Sequence, residues 1–394
     1  MATPTALAEN RFALALSAGG VRAMAHLGVL RVMSRYGLEP DLVVGTSGGA
    51  IVAALYAAGI PLDELVDFAL SWTNRKRALI DVNWRGVLEV VLRLGPLEGL
   101  VKGNRLQAII AAYLRGANTF VPPSARRGTK RKALFLTSVD LDDGEPIVFC
   151  NPADVAAPRD AATGECDGYR VCGRLTVAHA VRASISIPGI FVPAGCLADC
   201  PERSRCQKSS AGKREGGHDR FVDGGVREFL PLAVAVHLAR AGQVLGVNLG
   251  YAGMRREDVA ERGLFEILNQ SLDIMGYDQF EGDLSDELIA GARVAVLNPM
   301  IYDVGTFDVE HIPMLIERGE QAAERFFLSR GLVAGGDPAV NRRRLFPQSP
   351  GSVLFPPKDS EDYQQWKQKM RSARTAETAR CGRKRKVESK PRSL

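Results

Sequence analysis

Ser47 lies at the centre of Gly45-Thr46-Ser47-Gly48-Gly49, a Gly-x-Ser-x-Gly pentapeptide that joins an apolar run at 41–44 to a small-residue run at 50–58. A serine on such a strand-to-helix bend is placed for acyl transfer. Glycines leave room for the turn, the hydroxyl is pushed out of the sheet, and the next helix aims its N-terminus at the charge that develops there. The same pentapeptide also serves as a plain packing turn, so the reading rests on its position between strand and helix. A serine nucleophile needs N–H donors for an oxyanion and a base for its proton. The small-residue turn Ser17-Ala18-Gly19-Gly20-Val21-Arg22 offers the donors, and Asp223-Gly224-Gly225 offers a carboxylate between an apolar strand and a glycine turn. Asp-Gly-Gly alone is a common turn and draws its weight from the other two motifs. The first turn is a poor dinucleotide site: its glycines do not follow Gly-x-Gly-x-x-Gly, and no acidic residue closes the second strand. Ser, then Asp, then His is also a triad order, with His237 or His311 as third member. Neither has a supporting motif, and His237, like His26 on the first helix, suits packing.

The elements that must position these residues follow from hydrophobic periodicity. Residues 12–16 predict a buried strand, followed by a glycine turn and a helix through Met24, Leu27, Val29, Leu30 and Met33. Residues 41–44 and 50–58 repeat strand, turn and helix, which predicts an α/β fold with a parallel sheet and crossover helices. Residues 61–115 are mostly helical in pattern. Residues 132–139 predict a strand turning at Asp142-Asp143-Gly144 into a hairpin partner at 146–149. Further along, 175–184 predicts a helix, 190–193 and 220–222 short strands, 230–241 a helix, 243–249 a strand and 312–328 a long closing helix. From about Gly335 periodicity is lost, prolines gather, and a disordered basic tail is expected over 335–394.

The three motifs, in this order, resemble those of the patatin-like phospholipase family. Ala25-His26-Leu27-Gly28-Val29-Leu30, Asp140-Leu141-Asp142-Asp143-Gly144-Glu145-Pro146 and Ala183-Ser184-Ile185-Ser186-Ile187-Pro188-Gly189 add to a likeness that runs from about 11 to 232 and more loosely to 327. The resemblance implies a three-layer α/β/α sandwich with a mainly parallel central sheet. It also implies a Ser-Asp dyad, without cofactor or catalytic metal, cleaving carboxylic esters of phospholipids or related lipids through an acyl-enzyme. Carried over residue by residue, Ser47 is the nucleophile, Asp223 the proton acceptor, and Gly19 and Gly20 the oxyanion hole. Arg22, Gly45, Gly48, Gly49, Gly224 and Gly225 support these motifs. The sequence departs at Ala18 and Ala23, where many members carry glycine. Alanine at a position needing φ > 0 would shift the loop, so the alternative is a catalytically weak lipid-binding or regulatory protein on the same fold. The expected organisation is an extension at 1–10, a catalytic core at 11–232 with cysteine-bearing insertions near 151–174 and 196–219, a C-terminal part of the same fold at 233–334, and the tail.

The chain has 394 residues, 46% of them hydrophobic, and a net charge of +6. Residues 358–394 hold 12 Lys/Arg against 5 Asp/Glu, so the body is nearly neutral and a nucleic-acid partner is not expected from its charge. Arg383-Lys384-Arg385-Lys386 fits a solvated tail or a polyanion-binding run. Residues 1–10 lack a secretory pattern and no apolar segment reaches the roughly 18–20 residues of a membrane span. The expected location is the cytoplasm, with lipid ester as partner and transient contact with a membrane surface. Trp72 and Trp84, bracketing Arg75-Lys76-Arg77, fit either core positions or an interfacial helix. The basic loop at 126–132 fits either anionic lipid or solvent. Cys150, Cys166, Cys172, Cys196, Cys200 and Cys206 cluster within 150–206. Cys166, Cys172, Cys200 and Cys206 are candidates for a structural zinc, with disulfides or free thiols as the other readings.

Overall fold

The computed structural model describes residues 8–74, 80–92, 97–121, 123–126, 128–157, 165–173, 175–195, 220–250, 259–285, 291–349 and 353–354. The chain divides into two units, Met1–Leu354 and Phe355–Leu394; the second, with the basic run at 383–386, lies outside the described residues, as do Arg75-Lys76-Arg77.

Strand β1 (Ala8–Leu16) leads through the glycine turn into α1 (Ala25–Arg35), and β2 (Leu42–Gly45) leads through Ser47 into α2 (Gly48–Ala57). Three helices follow, α3 (Leu62–Asn74), α4 (Trp84–Val91) and α5 (Asn104–Leu114), then β3 (Ala133–Asp140) and β4 (Pro146–Cys150). The chain continues with β5 (Arg170–Cys172), α6 (Val177–Ser184), β6 (Ala194–Gly195), β7 (Arg220–Asp223) and β8 (Ala241–Val247). It closes with α7 (Leu264–Ser285), β9 (Arg293–Leu297), α8 (Ile312–Ser329), α9 (Pro338–Leu345) and β10 (Val353–Leu354). The sheet runs β10-β9-β8-β1-β2-β3-β4-β5, with β7 also paired to β3, and β6 to β7. Pairs from β10 to β3 are parallel, whereas β3 pairs with both β4 and β7 antiparallel. The central strands are apolar throughout because both faces are covered. Phe12, Leu14, Leu16, Val43, Leu245 and Val247 join one core with α1, α2 and α8. The alternating residues, Ala13, Ala15, Val44 and Val244, are equally buried on the opposite face. There Gly246 lies so close to Leu230 and Leu232 that a Cβ would stand 3.2 and 3.0 Å from their methyl groups. The architecture is the expected three-layer α/β fold with a mostly parallel sheet. No described helix is long and apolar enough to cross a membrane.

Helices α1 and α8 meet backbone to backbone. A Cβ on Gly28 would stand 2.0 Å from the Ile316 carbonyl oxygen, and one on Gly319 would stand 2.1 Å from that of Ala25. In an exposed helix Gly→Ala stabilises by about 1 kcal/mol. Gly319→Ala is expected to reverse that sign and destabilise by about 1–3 kcal/mol, since neither backbone can yield without parting the helices. Gly282 in α7 has open space at its Cβ, so Gly282→Ala should raise the urea midpoint while Gly319→Ala lowers it.

Several expected elements take another form. Residues 190–193 make no strand; Phe191 N donates to Ile187 O in a tight turn, and Val192 N donates to Val101 O. The helix expected over 230–241 is present in shorter form, with a π-helical turn at Val234–Leu238, and ends before Ala241, which pairs with Ala8 in the sheet. The loss of structure expected from Gly335 does not occur there. Asp337 Oδ1 accepts from Ala339 N to start α9, with Pro338 in the first turn, and Phe346 packs edge-on against Phe12, ring centroids 5.3 Å apart. β5, β9 and α7 form where the periodicity assigned no element.

Candidate active site

The two glycine turns and the Asp turn converge at the C-terminal ends of β1 and β2. Thr46 N donates to Leu16 O at 3.1 Å, which ties the bend after β2 to the end of β1. Ser47 then adopts φ 53°, ψ −123°, a conformation that L-residues occupy only when the surroundings impose it. Here the restraints are on both sides: Ser47 N donates to Ser184 Oγ at 2.9 Å, and Ser47 O accepts from Ala50 N at 2.9 Å. The flanking glycines answer to close approach. A Cβ on Gly48 would stand 2.4 Å from Gly20 O, and one on Gly49 would stand 2.5 Å from both Leu16 O and Ser17 O.

The first glycine turn is held at its edges and open in its middle. Ala18 N donates to Phe229 O and Val21 N to Thr306 O, and Leu249 N donates to Ser17 Oγ. Among the described residues, the N–H groups of Gly19, Gly20 and Gly48 have no acceptor. Three donors beside a serine hydroxyl are what an oxyanion requires. Gly20 has φ 57° and its Cβ position would meet Thr306 at 2.3 Å, so no other residue fits there. Ala18 and Ala23 are not at positive φ; the strain anticipated for alanine in this loop does not arise.

Asp223 ends β7 and is buried. Its Oδ2 accepts from Ser47 Oγ at 2.5 Å and its Oδ1 from Gly225 N at 2.7 Å. Burial disfavours the charge and raises its pKa to about 7, although the bonds from Ser47 and Gly225 oppose the rise. The carboxylate is therefore a stronger base than an ordinary aspartate, matched to accept a proton near neutrality. Gly224 would place a Cβ 2.3 Å from Thr137 Oγ1, so the turn lies flat on β3.

Arg22 is buried beneath the first glycine turn. Its Nε donates to Gly19 O at 3.2 Å, and its Nη2 lies 2.9 Å from both carboxylate oxygens of Asp273 on α7. A fully buried charge needs such a partner, and the pair fixes the carbonyl that precedes Gly20. Asp273, Ser184 and Thr306 are the site residues that motif reading missed. Ser184 falls inside a segment already marked by its likeness, but nothing local marks Asp273.

Two cavities open from Ser47. One of about 350 Å³ is walled almost wholly by apolar groups, among them Ile51, Trp72, Leu106, Ile187, Phe191 and Val309. The other, about 40 Å³, lies between the first glycine turn, Asp223 and the Asn269–Asp273 stretch of α7. Trp72 is thus a core residue lining the larger cavity, whereas Trp84 is 72% exposed. None of His26, His237 and His311 lines either cavity. His26 is buried, its Nε2 3.1 Å from Ser17 O, and burial lowers its pKa to about 4; it packs under the loop as expected.

Cys150 and Cys166 are buried free thiols and Cys172 sits half-buried in β5. Cys196, Cys200 and Cys206 lie outside the described residues, as does Arg127. Among the described residues no group of three His, Cys, Asp or Glu side chains is placed to hold a metal ion.

A family model described as patatin-like phospholipase matches residues 14–236. Among curated proteins, an uncharacterized NTE family protein of Mycobacterium tuberculosis is 24% identical over 339 residues, covering 80% of this chain and 46% of that protein. The chain therefore spans less than half the length of the first curated relatives it matches. The uncharacterized protein YqhO of Bacillus subtilis is 29% identical over 262 residues, covering 66% of this chain and 78% of its own. Among solved structures, VipD from Legionella pneumophila is 13% identical, with 80% of this chain and 66% of that one covered and a TM-score of 0.37.

Proposed function

The chain belongs to the patatin-like phospholipase family, and from that premise we propose that it is a serine acyl hydrolase of long-chain lipid esters, working through a Ser47–Asp223 dyad. The observation that carries the reading is the 2.5 Å bond from Ser47 Oγ to a buried Asp223, set at the mouth of an apolar cavity. Ser47 Oγ attacks the ester carbonyl carbon as its proton passes to Asp223 Oδ2. The carbonyl oxygen, now an anion, is held by the N–H groups of Gly19, Gly20 and Gly48. When the tetrahedral species collapses, the carbon–oxygen bond to the alcohol breaks and the alcohol oxygen takes the proton from Asp223. Water then attacks the acyl-enzyme, giving its proton to Asp223, and the fatty acid leaves as the proton returns to Ser47. The apolar cavity takes the acyl chain, because each buried methylene contributes about 0.8 kcal/mol and the walls offer almost no polar group to oppose it.

The test is turnover of a series of aryl esters of rising acyl length against pH. kcat/KM should rise with chain length until the cavity is filled. It should also rise with pH through about 7 and level off above, since Asp223, with its pKa raised to about 7, must be ionised to accept the proton. Below that point the rate should fall about tenfold per pH unit. A preference for acetyl over long acyl esters, or a rate that falls as pH rises through 7, would sink the reading.

A further inference from the structure

The exposed apolar side chains are not scattered. Of fourteen large hydrophobic residues exposed among the described residues, eleven fall in three stretches: 80–97, 264–275 and Phe307. All three border the cavities beside Ser47. Ile80 and Phe307 are 48% and 46% exposed and are also walls of the larger cavity, so the cavity reaches the outside at these two apolar side chains. On α4, Trp84 and Leu88 share one exposed strip at helical spacing, which Leu92 continues just past the helix end. The chain then returns through Leu100 and Val101 to the cavity wall. On α7, Asn269, Leu272 and Asp273 line the smaller cavity, while Ile267 and Ile274 face outward. Exposed apolar area of this extent is rare on a monomer unless something covers it.

Resting on the acyl-hydrolase reading, we propose that this face, centred on α4 and α7, docks onto the surface of a lipid bilayer, so that an ester's acyl chain enters the cavity without crossing water. Continuity decides the occupant. A covering protein would close the mouth between Ile80 and Phe307, whereas a bilayer brings apolar chains to it. Among the described residues, Arg85 is paired with Glu89 at 2.8 Å and Arg220 with Glu98 at 2.9 Å. The docking rests on these apolar side chains, as for an interfacial helix with tryptophan on its buried side.

The experiment is flotation of the full chain with vesicles of pure phosphatidylcholine, at low and high salt, for wild type and for a Trp84→Ser/Leu88→Ser double variant. Neither residue lines the cavity, so the variant should keep wild-type turnover of a soluble short-chain ester. Wild type should float at both salt levels, with its emission shifted to the blue relative to a Trp84→Phe control. The double variant should partition about tenfold less. Three outcomes overturn the proposal: wild type staying with the soluble fraction, the double variant floating like wild type, or sedimentation equilibrium showing a wild-type dimer that the double variant dissolves, which would assign the face to a second copy. Vesicle binding without ester turnover would instead count against the hydrolase reading and leave docking in place.

Discussion

Ser47→Ala is expected to lower kcat for ester hydrolysis by at least about 10⁴-fold and to abolish covalent labelling by a fluorophosphonate. The large effect follows from the absence of a substitute: among the described residues no other hydroxyl is bonded to Asp223, and the proposed oxyanion donors at Gly19, Gly20 and Gly48 can stabilise only an anion formed in front of them. The fold should survive. The bend at Ser47 is held by backbone bonds, Thr46 N to Leu16 O and Ala50 N to Ser47 O, and by Ser184 Oγ accepting from Ser47 N. None of these uses the Ser47 hydroxyl. Labelling that persists in a folded Ser47→Ala protein would place the nucleophile elsewhere.

Asp223→Asn should reduce turnover by about 10²- to 10⁴-fold while keeping the shape of the site, since an amide oxygen can still accept from Ser47 Oγ but cannot take its proton. The residual rate should lose the inflection near pH 7 that the wild type shows. Stability should move the other way. Folded Asp223 has a pKa of about 7, well above the ordinary aspartate value near 3.9. The folded chain thus holds a proton that the unfolded chain has released. Its contribution to stability is full below about pH 4 and is lost as pH rises through 7. Asparagine carries no charge to bury, so the variant should gain on wild type in urea unfolding as pH is raised from 5 to 8. A pH-independent difference would mean that Asp223 is already ionised throughout this range in the folded protein, its pKa not raised. A variant less active but also less stable above pH 7 would show that the carboxylate is structural.

The parts of the site that were legible are those in which a short stretch of chain meets a local demand. Gly20 sits at φ 57° against Thr306, and Gly48 and Gly49 admit the backbone of the neighbouring turn. Only glycine satisfies such positions, so the pattern shows in the sequence. The strands at 12–16, 41–44 and 132–139 were visible because burial on both faces makes them apolar throughout. The hairpin after β3 was marked by its Asp-Asp-Gly turn.

What the amino-acid sequence by itself determined is the set of candidate reacting groups and the turns that carry them: the serine bend, the glycine loop, the aspartate turn and the parallel strands behind them. Only the tertiary structure decided how those turns meet and what surrounds them. Arg22 and Asp273 are 251 residues apart yet bond at 2.9 Å, and α7, which brings Asp273, follows no motif. Trp72 and Trp84, twelve positions apart, end with opposite burial, 6% and 72% exposed, because α3 packs against the core while Trp84 lies on the outer side of α4. The physical reason is one of range. Backbone conformation in a tight turn is set by a few neighbouring side chains, whereas a buried ion pair or an exposed apolar face depends on which distant surfaces the folded chain brings into contact.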